Sequence, residues 1–303
     1  KHMKPRWSSL STAKLYKNLN GKSTSFAIKD SNGKITECDK WENDYCTRST
    51  VDDEILKKKH IVCLGDSFVY GHGVPRGNTM TDYLDNLVSD EYSCFNLGLP
   101  GTGFDTALLR LQQWCNEFGD QVHTVYFGLS SLTRLKHWES FKENWMWEDN
   151  VYDDDFLSMD MNYLPNDSWR DSTAPKWQKH RAALVHKSYT HLISKVNSMA
   201  KLDATIVALT NLSKVHNFNI YFFDTLIGGP NTVKELAIIK EQTENYNIKW
   251  GETNRGPLIT YFNTKNISSE SWESYYIKND GHWNAKGNNR VAQVLYNETK
   301  QWY

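Results

Sequence analysis

The sequence predicts a three-layer α/β/α fold around a five-stranded parallel sheet. Short apolar runs bounded by glycine or polar turn residues recur along the chain, and segments with helical periodicity separate them. At 303 residues with 39% hydrophobic content the chain can also bury a substantial core, either as one large domain or as a domain carrying an insertion.

The elements follow in order. Phe26-Ala27-Ile28 and Ile35-Thr36 flank Asn32-Gly33, a strong hairpin-turn signal, so a small hairpin is expected in an N-terminal extension, 1–59. His60 to Leu64, closed by Gly65, reads as a strand buried on both faces and opens the main domain, 60–303. Met80, Tyr83, Leu84, Leu87 and Val88 fall at helical spacing, and Tyr92 to Leu97 reads as a second strand. Phe104, Ala107, Leu108, Leu111, Cys115 and Phe118 mark an amphipathic helix before a third strand, Val122 to Leu129. A helix is expected from about Trp177 to Ala200, then, beyond a further segment, a fourth strand at Phe218 to Phe223 and a fifth at Leu258 to Phe262. Asn284 is placed to cap a last helix running from Ala285 to about Trp302. Arg134 to Lys176 interrupts the alternation. This segment is rich in tryptophan and acidic residues with little periodicity, and it reads as an insertion over the site.

Composition narrows the partners. The net charge is −1 and the longest basic block is Lys57-Lys58-Lys59, which argues against nucleic acid. No apolar stretch approaches the roughly 20 residues of a membrane span, and the first thirty residues lack a signal-peptide core, so a cytoplasmic location is the expectation. Cys63, Cys94 and Cys115 fall in apolar patterns and read as small hydrophobes; only Cys38 and Cys46 are conceivable as a pair. His180, His186 and His191 do not share a helix face, and neither a metal nor a cofactor is called for. Four N-x-S/T sequons, beginning at Asn166, Asn211, Asn266 and Asn297, read as chance.

In such sheets ligands bind beyond the carboxyl ends of the strands, so the informative residues are those that follow each strand. They are Gly65-Asp66-Ser67-Phe68, Asn96-Leu97-Gly98-Leu99-Pro100-Gly101-Thr102-Gly103 and Gly128-Leu129-Ser130-Ser131, with Asp280-Gly281-His282-Trp283-Asn284 before the final helix. A serine hydroxyl is a weak nucleophile until a base takes its proton, and a carboxylate fixes the tautomer of that base. Ser67, His282 and Asp280 supply these three types. Attack on an acyl carbon creates an oxyanion that needs preorganised donors, for which the Ser67 and Gly101 N–H groups are candidates. Trp138, Trp145, Trp147 and Trp169 of the insertion, with Trp283, are candidate substrate-binding residues. Other readings stand beside these. Ser67 can serve as a helix cap, Asp280 as a turn residue, His282 as a surface donor, and the tryptophans as packing residues.

These blocks together resemble the SGNH (GDSL-like) hydrolase superfamily. The run Gly65-Asp66-Ser67-Phe68-Val69-Tyr70-Gly71-His72-Gly73-Val74, with Asn96-x-Gly98-x-Pro100-Gly101-x-Gly103, is similar to its GDSF-type members. Asp280-Gly281-His282-Trp283-Asn284 with Lys286-Gly287 is similar to the D-x-H-W ending that also occurs in polysaccharide O-acetyltransferases. The likeness covers residues 60–131 and 278–300. One block departs, because Gly128-Leu129-Ser130-Ser131 stands where the family has Gly-x-Asn-Asp, whose Asn donates to the oxyanion. Ser130 is then the substitute donor, from a shorter side chain. Loss of one such donor costs about two to three orders of magnitude in rate, which suits a slow or specialised enzyme.

The resemblance implies a flavodoxin-like fold and serine-dependent hydrolysis of a carboxylic ester, such as an O-acetyl group on a carbohydrate, through an acyl-Ser67 intermediate. Transfer of the acyl group to a sugar hydroxyl is the alternative within enzymes. A catalytically silent carbohydrate-binding protein on the same fold is the alternative outside them. A small-molecule or carbohydrate ester is the expected partner.

Overall fold

A computed structural model describes residues 26–29, 35–38, 47–49, 51–99, 103–129, 135–138, 156–159, 195–225, 241, 249–250, 272–277 and 281–303. The first of the described elements is the expected hairpin, in which β1 (Phe26–Lys29) pairs antiparallel with β2 (Ile35–Cys38). The α/β unit follows as β3 (Lys59–Leu64), α1 (Ser67–Tyr70), α2 (Met80–Asp85), β4 (Tyr92–Asn96), α3 (Phe104–Phe118) and β5 (Val122–Leu129). A second antiparallel pair, β6 (Leu135–Trp138) with β7 (Phe156–Met159), lies within the insertion, where the sequence shows little periodicity. Then come α4 (Lys195–His216), β8 (Asn219–Asp224), β9 (Lys249–Trp250) and α5 (Ala285–Thr299).

The main sheet is parallel throughout, in the order β4-β3-β5-β8-β9. From β3 the chain moves outward to β4, then crosses back over β3 to β5. This reversal makes the carboxyl ends of β3 and β5 the topological switch point, where α/β sheets bind ligands. The fifth strand is Lys249–Trp250; the expected Leu258 to Phe262 lies outside the described residues.

The strands are buried on both faces, and their side chains sort with period two. Val62, Leu64, Phe95, Val125, Phe127, Ile220 and Phe222 join Leu111, Trp114, Leu202, Ile206 and Leu209 of α3 and α4 in one cluster. Ile61, Cys63, Cys94, Tyr126, Tyr221 and Phe223 join Met80, Leu84, Val291 and Leu295 of α2 and α5 in the other. The three layers are therefore two helices, the sheet and two helices. Each fully buried large apolar side chain contributes on the order of 1.5–3 kcal/mol to this arrangement. The thiols of Cys63 and Cys115 are pushed up to about 12 by burial, so both behave as apolar packing groups.

The helices end where local chemistry dictates. Thr79 and Asp82 form a reciprocal capping box at the start of α2, and Asn284 accepts from the Gly287 N–H to cap α5. The stretch 201–216 belongs to α4, although its threonines and β-branched residues weaken the helical reading. Burial of Leu202, Ile206 and Leu209 overrides that propensity, and Thr205 and Thr210 satisfy their hydroxyls on the carbonyls of Lys201 and Ile206. Asn217, in the left-handed region at φ 55°, then ends the helix. The upstream part of that expected helix, 177–194, lies outside the described residues. None of the described helices is long and apolar enough to cross a membrane.

His60 is a buried ionisable group at the amino end of β3. Its Nδ1 accepts from Trp114 Nε1 at 3.1 Å, which leaves Nε2–H to donate to the Leu56 carbonyl at 3.1 Å. Burial holds its pKa at about 4, below the ordinary 6.5, so the folded protein keeps this ring neutral at pH 7. A depressed histidine stabilises the fold above the unfolded value and loses that contribution as pH falls from 6.5 towards 4. Between pH 7 and pH 4.5 the loss should be on the order of 2–3 kcal/mol. Urea denaturation at the two pH values should show this loss in the wild type and its absence in His60→Gln; equal pH sensitivity would refute it.

Candidate active site

The loop after β3 carries Ser67, and three features fix it. Gly65 sits at φ 154°, and a Cβ there would lie 2.5 Å from Val69 Cγ2 and 3.1 Å from the Gly128 carbonyl, so only glycine lets the chain turn so close to β5. Asp66, fully buried, caps α1 by accepting from the Phe68 N–H at 3.0 Å. The cap is therefore Asp66, and Ser67 is the first residue of the helix. At the other end Gly71, at φ 78°, donates its N–H to the Ser67 and Phe68 carbonyls, and the His72 N–H donates to the Ser67 carbonyl at 2.9 Å.

Two further segments clamp this single helical turn. Asn96, at the end of β4, donates through Nδ2 to the Val69 carbonyl at 2.9 Å and accepts from the Gly98 N–H at 3.0 Å. Gly98 abuts the backbone of α1 so closely that a Cβ would lie 2.4 Å from the Tyr70 nitrogen. Arg48, only 3% exposed, donates to the carbonyls of Tyr70 at 2.8 Å, Gly71 at 2.7 Å and Val74 at 2.9 Å. Its neighbour Ser49 accepts from the Asn96 N–H at 2.8 Å. This part of the N-terminal extension is thus packed into the α/β unit. Nothing in its local pattern announces that, because the partners of Arg48 are backbone carbonyls more than twenty positions away.

His282 arrives from the opposite end of the chain. Its loop folds back on itself through an antiparallel bridge between Tyr276 and Trp283, with the Ile277 N–H donating to the His282 carbonyl at 2.8 Å and the Asn284 N–H to the Tyr275 carbonyl at 3.0 Å. Gly281, at φ 87°, makes the turn. Asn288, fully buried on α5, donates to the Trp283 and Asn284 carbonyls and accepts from the Met80 N–H, so it locks the loop to the start of α2. Trp283 is 3% exposed and packs into the core with Val69 and Tyr275. Its indole supports this loop from within the core.

The two loops meet with His282 Nε2 2.7 Å from Ser67 Oγ. The serine is 7% exposed and the imidazole half-buried, with the Phe68 ring centroid 4.8 Å from that of His282. With its proton on Nδ1, the neutral ring accepts the serine hydroxyl proton at Nε2, which is the geometry general-base activation requires. Ser67 is the first residue of α1, where the Phe68 N–H is taken up by the Asp66 side chain and the Tyr70 N–H by the Asp66 carbonyl. Asp280, Gly101, Ser130, Trp145, Trp147 and Trp169 lie outside the described residues, as does the side chain of Trp138.

No protein-family model matches the chain, and no curated protein matches it. Solved structures similar to it include a lipolytic G-D-S-L family protein from Veillonella parvula, at 13% identity and TM-score 0.44 over 80% of this chain and 98% of that one. An alpha/beta hydrolase enzyme from the metagenome of Lake Arreo, Spain, is 11% identical at TM-score 0.47 over 81% and 96%. An acetyl xylan esterase variant from Geobacillus stearothermophilus is 13% identical at TM-score 0.44 over 79% and 94%. Likenesses this distant do not bear on chemistry, which is argued from the residues of this chain.

Proposed function

We propose that the protein is a serine-dependent carboxylic ester hydrolase. The observation that carries this is the 2.7 Å approach of His282 Nε2 to Ser67 Oγ at the carboxyl end of the sheet. His282 takes the hydroxyl proton as Ser67 Oγ attacks the ester carbonyl. The tetrahedral intermediate then collapses to acyl-Ser67, and the proton passes from His282 to the departing alcohol. Water, deprotonated by the same ring, attacks the acyl group and returns Ser67 and the free acid. In this scheme Asp280, two positions before His282, is assigned the carboxylate role toward Nδ1 of the ring, and Gly101 and Ser130 are the further oxyanion donors. The SGNH-like blocks around both residues support the same reading.

Within it, the substrate is an acylated carbohydrate, such as an O-acetyl sugar. The tryptophans and carboxylates of the insertion suit a neutral polyhydroxylated ligand, since indoles stack on sugar C–H faces and carboxylates accept hydroxyl hydrogen bonds. The D-x-H-W-like ending keeps transfer to a sugar hydroxyl as the second reading.

Incubation with a fluorophosphonate should place a single adduct on Ser67, mapped by peptide mass spectrometry, and His282→Ala should abolish it. The same preparation should release acetate from an acetylated oligosaccharide faster than from an aryl acetate, and an added sugar acceptor would capture the acetyl group if the enzyme is a transferase. An unmodified Ser67 under conditions where the chain is folded would overturn the hydrolase reading. Equal rates on both esters would overturn the carbohydrate part.

A further inference from the structure

The imidazole of His282 turns about a soft torsion. Its Cβ–Cγ bond joins an sp³ to an sp² centre, for which the preferred angles are broad, so packing against the ring helps decide where Nε2 points. Phe68 supplies such packing. Its ring centroid lies 4.8 Å from that of His282, the planes inclined at 38°, which is within the range of attractive aromatic pairs. Phe68 is braced in turn by the indole of Trp283, 5.1 Å away at 64°, and Trp283 is anchored in the core at 3% exposure. The Phe68 N–H donates to Asp66 Oδ1 at 3.0 Å, so the cap of α1 pins the backbone beneath the ring. A second ring of the same segment, that of His72, lies 4.7 Å from His282 at 53°. The stretch of chain that places Ser67 therefore also packs the ring of its partner.

The bond between Nε2 and the Ser67 hydroxyl orients the same imidazole while the serine is free. It is lost once Oγ carries an acyl group, because an ester oxygen has no proton to donate. The ring must still hold its place, since in the second half of the reaction Nε2 takes a proton from water. We propose that Phe68 is a positioning residue for His282: its ring keeps Nε2 aimed at the reacting centre through the acyl-Ser67 stage, when the serine hydroxyl no longer holds it. The kinetic part rests on the ester-hydrolase reading, whereas the ordering of one ring by the other does not.

The test compares the full chain of the wild type with Phe68→Ala, Phe68→Leu and Phe68→Tyr. In the wild type, NMR should show cross-relaxation between the two rings, and carbon relaxation of the His282 ring should report an ordered side chain on the ps–ns timescale. That order should fall in Phe68→Ala and Phe68→Leu and return in Phe68→Tyr, which keeps the aromatic ring. With an aryl acetate, single-turnover and steady-state kinetics separate the two halves of the reaction. Deacylation should slow by about 10- to 100-fold in Phe68→Ala and about 10-fold in Phe68→Leu, with acylation affected less, since a small misplacement of a reacting group costs up to this much. Phe68→Tyr should recover most of the deacylation rate. If Phe68→Ala fails to fold, Phe68→Leu and Phe68→Tyr decide. Equal losses in the two halves of the reaction would overturn the proposal, as would a His282 ring that stays as ordered in a folded alanine or leucine variant as in the wild type. A wild type whose His282 order depends on Phe68 but which forms no acyl-enzyme would instead overturn the hydrolase reading.

Discussion

Ser67→Ala and His282→Ala should each lower kcat on a small aryl ester by at least about three to four orders of magnitude, and the double variant should be hardly worse than either. In the proposed mechanism the serine is activated through the ring 2.7 Å away, so once one partner is gone the other has nothing to act on. Neither change threatens the fold. The Ser67 hydroxyl contributes one hydrogen bond, worth about 1 kcal/mol, while the cap of α1 is made by Asp66 and the His282 loop is held by backbone bonds and Asn288. Thermal denaturation should confirm that the variants stay folded, so that the kinetic losses report chemistry. Losses that multiply in the double variant would show two independent contributions and would sink the nucleophile–base pair.

Arg48→Met should destabilise the protein by about 3–5 kcal/mol, measured by urea denaturation. The substitution removes three charge-assisted hydrogen bonds and leaves the carbonyls of Tyr70, Gly71 and Val74 short of donors in a site where the arginine is 3% exposed. It also removes the guanidinium that lies 4.7 Å over the Tyr70 ring. Arg48→Lys should recover only part of the loss, because a single ammonium cannot reproduce the planar fork that spans these carbonyls. A loss below about 1 kcal/mol in Arg48→Met would mean that water replaces the guanidinium at little cost, and the anchoring of α1 by the N-terminal segment would have to be abandoned.

How much of this was legible in the sequence depends on the range over which each feature is encoded. The strands β3, β4 and β5 were readable because a sheet buried on both faces needs continuous apolar runs, and Gly65 and Gly128 mark the ends where backbones approach. The cap of α5 and the N-terminal hairpin were readable because each is written in a few adjacent residues. Ser67 and His282 were individually conspicuous as polar residues set in glycine-bearing loops after apolar runs. The extent of α4 and the position of β9 were not readable. Packing of Leu202, Ile206 and Leu209 outweighs weak local propensity in the first, and β9 is only two residues long.

By itself, then, the sequence determined the alternation of strands and helices, the parallel α/β class, and the residue types placed after each strand, because these depend on local periodicity and turn chemistry. Only the tertiary structure decided that Oγ of residue 67 and Nε2 of residue 282 touch, that Trp283 is a buried prop, that Arg48 closes the α1 turn, and that the His72 ring lies against that of His282. Each of those is a contact between segments distant along the chain, and the crossover order of the sheet, which no local pattern encodes, brings them together at its switch point.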